Sequence, residues 1–189
     1  DYDAHMNVFL GKVELDNKKE EQHMKRLFEI SHGKEINPVN VSFAHATMVA
    51  QIGPSEEDAI RSMEKTGHYD KKMHDAIFER VNKAKVWLEK YAPDDVKFTV
   101  QATVPEGLKL GTKEKKALQL VVKALEKKKW NEKTLFEEFY NICQKVDIKN
   151  TDFFRAAYNV LLNKERGPKL APFILALGKE KVIELFEKV

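Results

Sequence analysis

The spacing of apolar residues is the feature that most constrains the fold of this chain. Apolar residues recur at steps of three and four through most of the sequence, and Pro and Gly fall at the joints between these segments. In the segment that follows Asp70, the apolar positions are Met73, Ile77, Val81, Ala84, Leu88 and Tyr91. An α-helix turns once in about 3.6 residues, so this spacing places apolar side chains on one helical face. The spacing therefore predicts an all-α protein.

Residues at the ends of these segments predict where helices begin and end. A helix start is favoured by a polar residue whose side-chain oxygen accepts a hydrogen bond from a backbone N–H of the first turn. The candidates are Asn17, Ser55, Thr112, Asn131 and either Asn150 or Thr151. Breaks are predicted at Asn37-Pro38, Gly53-Pro54, Gly67, Pro93, Gly167-Pro168 and Gly178. The helix that follows Asn17 is predicted to have an apolar side made of Met24, Leu27, Phe28 and Ile30.

These signals divide the chain into two consecutive helical bundles joined by a short irregular segment. Residues 1–35 are predicted to be a connector plus a first helix, residues 36–108 a first bundle, and residues 109–189 a carboxyl-terminal bundle. The irregular segment covers residues 93–111, where Pro105 and Gly107 interrupt any regular pattern. The helix predicted over residues 151–163 is apolar nearly all round, which is typical of the central helix of a bundle.

Composition excludes several classes of protein. Lys and Arg number 33 against 30 Asp and Glu, giving a formal charge of +3 that suits a polyanionic partner without requiring one. Cys143 is the single cysteine, which excludes an internal disulfide and a paired-cysteine zinc site, and it is predicted to be a small core residue. No run approaches the roughly 20 apolar residues of a membrane helix, and the polar, acidic start is unlike a signal peptide. We therefore expect a cytoplasmic protein without membrane contact, and the start without Met suggests a piece of a longer chain.

The sequence contains none of the enzyme motifs that can be recognised by spacing. A phosphate-binding glycine loop, a two-histidine metalloprotease helix and a serine elbow are all missing. His68 and His74 lie near Asp70 and Asp75, but this spacing fits no standard ligand pattern and favours a solvated helix start. We therefore predict no catalytic residues, no metal site and no cofactor in this chain.

A lysine-rich stretch surrounds Trp130. Its members are Lys109, Lys113, Lys115, Lys116, Lys123, Lys127, Lys128, Lys129 and Lys133. One interpretation is a surface for a phosphate backbone, with the indole of Trp130 stacking on a base. The other is a solvated helix face, with Trp130 packed at its end.

A polar stripe formed by Arg155, Asn159 and Asn163 is the sharper candidate for RNA binding. These residues are four apart, so they share one side of an otherwise apolar helix. The stripe leads into a basic turn that contains Lys164, Arg166 and Lys169. Asn and Arg side chains suit base edges or phosphates, and the helix start after Pro168 offers free N–H groups to an anion. The alternative is that the stripe is simply the solvated side of the helix.

Four segments of the sequence carry a family resemblance, and they are Val8-Phe9-Leu10-Gly11, Lys25-Arg26-Leu27-Phe28-Glu29-Ile30-Ser31, Val41-Ser42-Phe43-Ala44-His45 and Arg166-Gly167-Pro168-Lys169-Leu170. In this order they resemble segments of the class I lysyl-tRNA synthetases, a family found mainly in archaea. The chain departs from the family's pattern at Ala44 and Lys169, where arginine is usual, and at Asn163, where glycine is common.

The resemblance implies the carboxyl-terminal half of such a ligase, an α-helix cage that binds the anticodon arm of lysine tRNA and reads its uridines. The whole enzyme would attach lysine to that tRNA with ATP and magnesium, through a catalytic domain whose signatures this sequence lacks. The implied RNA-binding residues are Arg155, Asn159, Asn163, Lys164, Arg166 and Lys169, with Trp130 and Phe43 as weaker stacking candidates. Two alternatives stay open: the anticodon-binding region of a glutamate-type ligase, and a helical scaffold that binds another protein.

Overall fold

The computed structural model describes residues 2–32, 39–53 and 55–189. The chain forms two compact units, residues 1–43 and residues 44–189. Within the described ranges the regular structure is helical throughout and contains no strand, which confirms the predicted all-α class. No helix in those ranges is both long and apolar enough to cross a membrane. The predicted break at Asn37-Pro38 and the predicted boundary between residues 35 and 36 lie outside the described residues.

The first unit is built on two helices, α1 (Tyr2–Phe9) and α2 (Lys18–His32), which pack against each other. Phe28 of α2 is 1% exposed, and its ring centroid lies 5.3 Å from that of Tyr2 and 5.0 Å from that of Phe9. The sequence predicted a connector at this position rather than α1.

The predicted cap of α2 is confirmed, but its predicted apolar side is partly wrong. Asn17 Oδ1 accepts hydrogen bonds from the N–H groups of Lys19 (3.1 Å) and Glu20 (3.3 Å). Leu27 and Ile30 are 43% and 63% exposed. Because Ile30 is two residues from the buried Phe28, it lies about 200° around the helix and points away from that contact.

The second unit contains the remaining helices. They are α3 (Phe43–Ile52, starting at the last residue of the first unit), α4 (Glu56–Lys65), a 3₁₀ turn (Lys71–Met73), α5 (His74–Lys90), α6 (Thr112–Lys127), α7 (Glu132–Val146), α8 (Asn150–Leu162), α9 (Leu170–Leu177) and α10 (Lys179–Phe186).

Two of the predicted caps in this unit are confirmed. Ser55 Oγ accepts from the N–H of Asp58 (3.1 Å), and Asn131 Oδ1 accepts from that of Thr134 (2.9 Å). The predicted cap at Thr112 is wrong, because Gly111 is the capping residue and its N–H donates to the Glu114 carboxylate at 2.6 Å.

The cap predicted at Asn150 or Thr151 is also wrong. The capping residue is Lys149, whose carbonyl accepts hydrogen bonds from the N–H groups of Asp152 (3.0 Å) and Phe153 (3.1 Å). Helix α8 therefore begins at Asn150, one residue earlier than a cap at Asn150 would place its start.

Helix α8 lies at the centre of the second unit, as its apolar circumference predicts. It packs against α6, α7 and α10. Its buried residues are Phe153, Ala156, Ala157, Tyr158, Val160, Leu161 and Leu162. The ring of Phe153 lies 5.5 Å from that of Phe139 on α7, and Cys143 on α7 is buried as predicted.

The predicted apolar face of α5 is confirmed at four positions, which are Ile77, Val81, Ala84 and Leu88. Tyr91 is 73% exposed. This part of the prediction is wrong because α5 ends at Lys90, so Tyr91 no longer follows the helical period.

The irregular segment, residues 93–111, has no helix or strand, as predicted. Hydrogen bonds and a ring contact nevertheless attach it to other parts of the second unit. The N–H of Gln101 donates to the carbonyl of Leu161 at 2.9 Å, and the ring of Phe98 meets that of Phe173 edge-on at 5.5 Å. Lys164 Nζ donates to the carbonyl of Asp94 at 2.8 Å and to that of Lys97. The segment is therefore part of the packed unit, while the predicted division at residues 108 and 109 stays a prediction.

Helix α8 ends one residue earlier than predicted. Asn163 has left-handed backbone angles, φ 52° and ψ 41°, and its N–H donates to the carbonyl of Asn159. Glycine and asparagine are the residues that tolerate this conformation at a helix end. Asn163 therefore closes the helix rather than extending it.

Replacing Asn163 tests this role. Asn163→Gly is expected to leave the free energy of unfolding nearly unchanged, whereas Asn163→Val is expected to lower it by about 1–2 kcal/mol, because a branched side chain clashes in the left-handed conformation. Urea unfolding followed by circular dichroism measures both. An equal loss for the two variants would mean that the backbone conformation does not limit this position.

Removing the Lys164 ammonium tests the attachment of the irregular segment. In Lys164→Met, amide hydrogen exchange at Phe98 and Gln101 is expected to accelerate roughly fivefold, as for the loss of about 1 kcal/mol of hydrogen bonding. Lys169→Met is the matched control and should leave these amides unchanged. Unchanged exchange in both variants would show that Lys164 does not hold the segment.

Candidate nucleic-acid interface

The solvent side of α8 carries two of the predicted RNA-binding residues. Arg155 is exposed and Asn159 is half-buried. The Arg155 guanidinium donates to Asp152 Oδ1 at 2.9 Å, and these side chains are 48% and 36% exposed. Exposed ion pairs of this kind contribute about 0–1 kcal/mol, because water competes for both partners. An RNA phosphate or base edge can therefore replace Asp152 at little cost.

The basic turn after α8 is held by Tyr158. A Cβ atom at Gly167 would lie 2.8 Å from Tyr158 Cδ1 and 2.7 Å from Leu162 Cδ1, so this close approach needs glycine. The Tyr158 hydroxyl donates to the carbonyl of Pro168. Burial raises the pKa of Tyr158 to about 12, which keeps the hydroxyl protonated as this bond requires. The turn is thus fixed to the buried helix.

Arg166 and Lys169 lie on this turn with their side chains exposed. Across the described ranges, neither side chain is paired with a carboxylate. Their charges are held near the exposed end of α8 by the contact between Tyr158 and Gly167. Two cations fixed at neighbouring positions on a rigid turn are suited to phosphate oxygens.

Two other predicted residues of this region have structural roles. Lys164 donates to the carbonyls of Asp94 and Lys97, so its ammonium is directed into the protein. Asn163 closes α8 with left-handed backbone angles, although its side chain is exposed. The six carboxyl-terminal candidates therefore lie along α8 and the turn that follows it, and the surroundings of these residues differ.

The start of α9 offers less to an anion than the sequence suggested. Pro172, the third residue of the helix, has no N–H group. The N–H of Phe173 already donates to the carbonyl of Lys169 at 3.1 Å. At most two N–H groups remain, those of Leu170 and Ala171, and both residues are buried.

Trp130 lies in a groove between α6 and α7, with a volume of about 580 Å³. Its Nε1–H donates to the carbonyl of Ala124 at 2.8 Å, and Lys128 Nζ lies 3.9 Å from the ring centroid. The half-buried indole is therefore packed at the end of α6, as one of the two interpretations predicted. The lysines of the groove are Lys123, Lys127, Lys128 and Lys145.

The remaining members of the lysine-rich stretch differ in their surroundings. Lys113 Nζ is 2.7 Å from Asp147 Oδ2 and joins the start of α6 to the end of α7. The side chains of five others face solvent, and these are Lys109, Lys115, Lys116, Lys129 and Lys133.

Phe43 is half-buried in the first unit. Its backbone N–H donates to Asp3 Oδ2 at 2.6 Å. It is therefore described with that unit, and its stacking role stays a prediction.

Sequence reasoning missed residues of α7 that face the groove. Lys145 and Asn141 are four residues apart, so they share the side of α7 that lines the groove with α6. The same helix carries the exposed aromatic pair Phe136 and Tyr140, whose ring centroids are 4.9 Å apart. The spacing of four was visible in the sequence, but the partner of this face required knowledge of the pairing of α6 and α7.

His68 and His74, which are close in sequence, have different surroundings in the structure. His74 Nε2 lies 3.3 Å from Glu56 Oε1, and its Nδ1 lies 3.1 Å from the Tyr69 hydroxyl. His68 instead stacks on His45, with ring centroids 4.0 Å apart. A nitrogen or oxygen from each of His45, His68 and Glu132 lies within 4.8 Å of the others, which is the one group of possible metal ligands in the described ranges.

The sequence is similar to those of several lysine–tRNA ligases. It is 32% identical to that of Thermococcus kodakarensis over 97% of this chain, 31% to that of Borreliella burgdorferi over 100%, and 30% to that of Methanopyrus kandleri over 87%. The chain spans only 36%, 36% and 33% of the length of these curated relatives.

The matched part of each relative is a region rather than the whole enzyme. Residues 62–188, more than half of this chain, match the family model described as an anticodon-binding domain. That range contains α8, the basic turn and the groove beside Trp130. The chain therefore belongs to the anticodon-binding domain family.

Proposed function

We propose that this chain binds the anticodon arm of lysine tRNA as part of a class I lysine–tRNA ligase. The observation that carries the proposal is the family match, which covers the helix and the turn that present Arg155, Asn159, Arg166 and Lys169. In this proposal, lysine activation with ATP and magnesium and transfer to tRNA take place on a catalytic domain outside this sequence. The similarity to lysine–tRNA ligases favours lysine over glutamate tRNA.

The two parts of the α8 surface suit different parts of an RNA. Arg166 and Lys169 present point charges on a fixed turn, which suits phosphates and positions the RNA without reading its sequence. Arg155 and Asn159 present flat, directional donor and acceptor groups one helical turn apart, which suits the edges of unstacked bases. An anticodon loop offers both.

A protein-binding role is the second candidate function. The exposed pair Phe136 and Tyr140 on α7 favours it, because aromatic side chains are enriched at protein interfaces. This role predicts binding of a protein partner with little dependence on salt and no affinity for anticodon stem-loops.

Removing either charge of the basic turn is expected to weaken RNA binding without changing its selectivity. Arg166→Ala and Lys169→Ala should each lower the affinity for all stem-loops by a similar factor. Each should also reduce the slope of log K against log salt by about 0.7–0.9, the value for one lost phosphate contact. Fluorescence anisotropy over a salt series measures both quantities.

Lys90→Ala is the matched control, since Lys90 is an exposed lysine on α5, outside this surface. It should keep the slope and affinity of the unchanged chain. If all three variants behave alike, the basic turn has no special part in RNA binding.

Truncating the polar stripe is expected to change selectivity. Arg155→Ala or Asn159→Ala should reduce the preference for the lysine anticodon by about 1–3 kcal/mol, the usual value of a base contact. Competition between stem-loops with lysine and unrelated anticodons measures this preference. Preserved discrimination in both variants would rule out α8 as the surface that reads bases.

Asn163→Gly separates recognition from helix closure at Asn163. Glycine preserves the left-handed backbone, so a loss of RNA discrimination in this variant would assign the amide a contact with RNA. Unchanged discrimination with unchanged stability would leave Asn163 with its capping role alone.

A further inference from the structure

His45, His68 and Glu132 come from three parts of the second unit that are distant in sequence. His45 lies on α3, His68 follows the end of α4, and Glu132 is the first residue of α7. One ring nitrogen of each histidine and one carboxylate oxygen of Glu132 all lie within 4.8 Å of one another. We call these three residues the histidine cluster.

The backbone holds His68 in a defined position. Gly67 has φ +73°, and the N–H of His68 donates to the carbonyl of Met63 at 2.8 Å. The N–H of Gly67 donates to the carbonyl of Glu64 at 3.1 Å. These paired bonds across a left-handed glycine are those of a closed helix end, which leaves little freedom to the residue that follows.

The ring of His45 is also held in place. His45 is 7% exposed, and its Nε2 lies 3.1 Å from the hydroxyl oxygen of Thr66. That hydroxyl donates in turn to the carbonyls of Ser62 (3.1 Å) and Met63 (3.2 Å).

Two polar atoms of the cluster are buried without a hydrogen bond. His68 Nδ1 and Glu132 Oε1 are 3.9 Å apart, which is too long for a hydrogen bond. Neither atom has another hydrogen-bond partner in the described ranges. Buried polar atoms are normally satisfied, so a pair that lacks partners points to an atom or ion placed between them.

The donor set is that of a transition-metal site. Two imidazoles and one carboxylate are a common three-ligand set for Zn²⁺, which keeps a fourth position for water. Tetrahedral coordination with ligands at about 2.0–2.1 Å places donor atoms about 3.3 Å apart, so small side-chain rotations would bring the three atoms into range. A metal-bound histidine usually makes a hydrogen bond through its other ring nitrogen, and in the proposed site the contact of His45 Nε2 with Thr66 would be that bond.

We propose that the histidine cluster binds one Zn²⁺ ion, or a transition-metal ion of similar preference, through His45, His68 and Glu132. The ion joins α3, the end of α4 and the start of α7, and it satisfies the two buried atoms that lack partners. Its expected effect is to stabilise the fold, since it links three elements that are distant in sequence. The proposal does not depend on the RNA-binding role.

The test is metal binding by the 189-residue chain, prepared without a histidine tag and stripped with a chelator. Co²⁺ is titrated while the visible absorption of four-coordinate Co²⁺ is recorded, and Zn²⁺ is then added as competitor. We expect one ion per chain, displacement by Zn²⁺, and a higher unfolding temperature in Zn²⁺ because the ion binds only the folded state.

Glu132→Gln and His68→Gln are the variants, and Glu137→Gln and His74→Gln are the matched controls. The Glu132 and His68 side chains are 41% and 26% exposed, so both variants are expected to fold, which circular dichroism verifies. Each variant should lose at least about tenfold in metal affinity, and the controls should keep it.

Two results would overturn the proposal. One is the absence of a four-coordinate Co²⁺ spectrum in the unchanged chain. The other is the same metal affinity in the chain and in either folded variant, which would place the ion elsewhere. In both cases the contact between His68 and Glu132 would be one between two side chains without an ion between them.

Discussion

Helix α8 can leave only a narrow strip of its surface in contact with water, and the candidate RNA surface depends on this constraint. Apolar side chains cover the rest of its circumference and are buried against α6, α7 and α10. The strip that remains carries Arg155 and Asn159. Because the helix is packed on nearly every side, these two side chains are presented from a rigid support rather than from a mobile loop.

The same burial controls the turn that follows the helix. Tyr158 is buried within α8, and its ring and hydroxyl hold Gly167 and Pro168. Arg166 and Lys169 therefore lie at fixed positions beside the end of the strip. The packing of Tyr158 thus fixes the backbone that carries both charges.

Lysine number is a poor guide to the surface that a polyanion would meet. The ammonium groups of Lys113, Lys164 and Lys181 are bound by other groups of this chain, which are Asp147 or backbone carbonyls of the irregular segment. Other lysines, such as Lys115 and Lys116 on α6, face water. The formal charge of +3 is therefore less informative than which cations remain exposed.

Much of the helical architecture was predictable because the residues that start a helix and form its buried face are close together in sequence. The caps Ser55 and Asn131, the buried face of α5 and the central position of α8 all follow from residues within one or two turns. The errors arose where local signals are short or shared, as in the eight-residue α1 and at the start of α6, where Gly111 caps instead of Thr112.

The site was predictable in its location but not in its division of roles. Residues on α8 and the basic turn are close in sequence, so their proximity could be inferred. The hydrogen bond from Lys164 Nζ to the carbonyl of Asp94, which lies 70 positions earlier, depends on tertiary packing. The same holds for the meeting of His45, His68 and Glu132, which no local spacing encodes.

The most direct test of the central claim is binding of the purified chain to a lysine anticodon stem-loop at two salt concentrations. A stem-loop whose anticodon uridines are replaced is measured beside it. The account predicts salt-sensitive binding that is tighter for the natural loop. Equal affinity for the two loops, or no binding to either, would contradict the claim that this chain reads the anticodon.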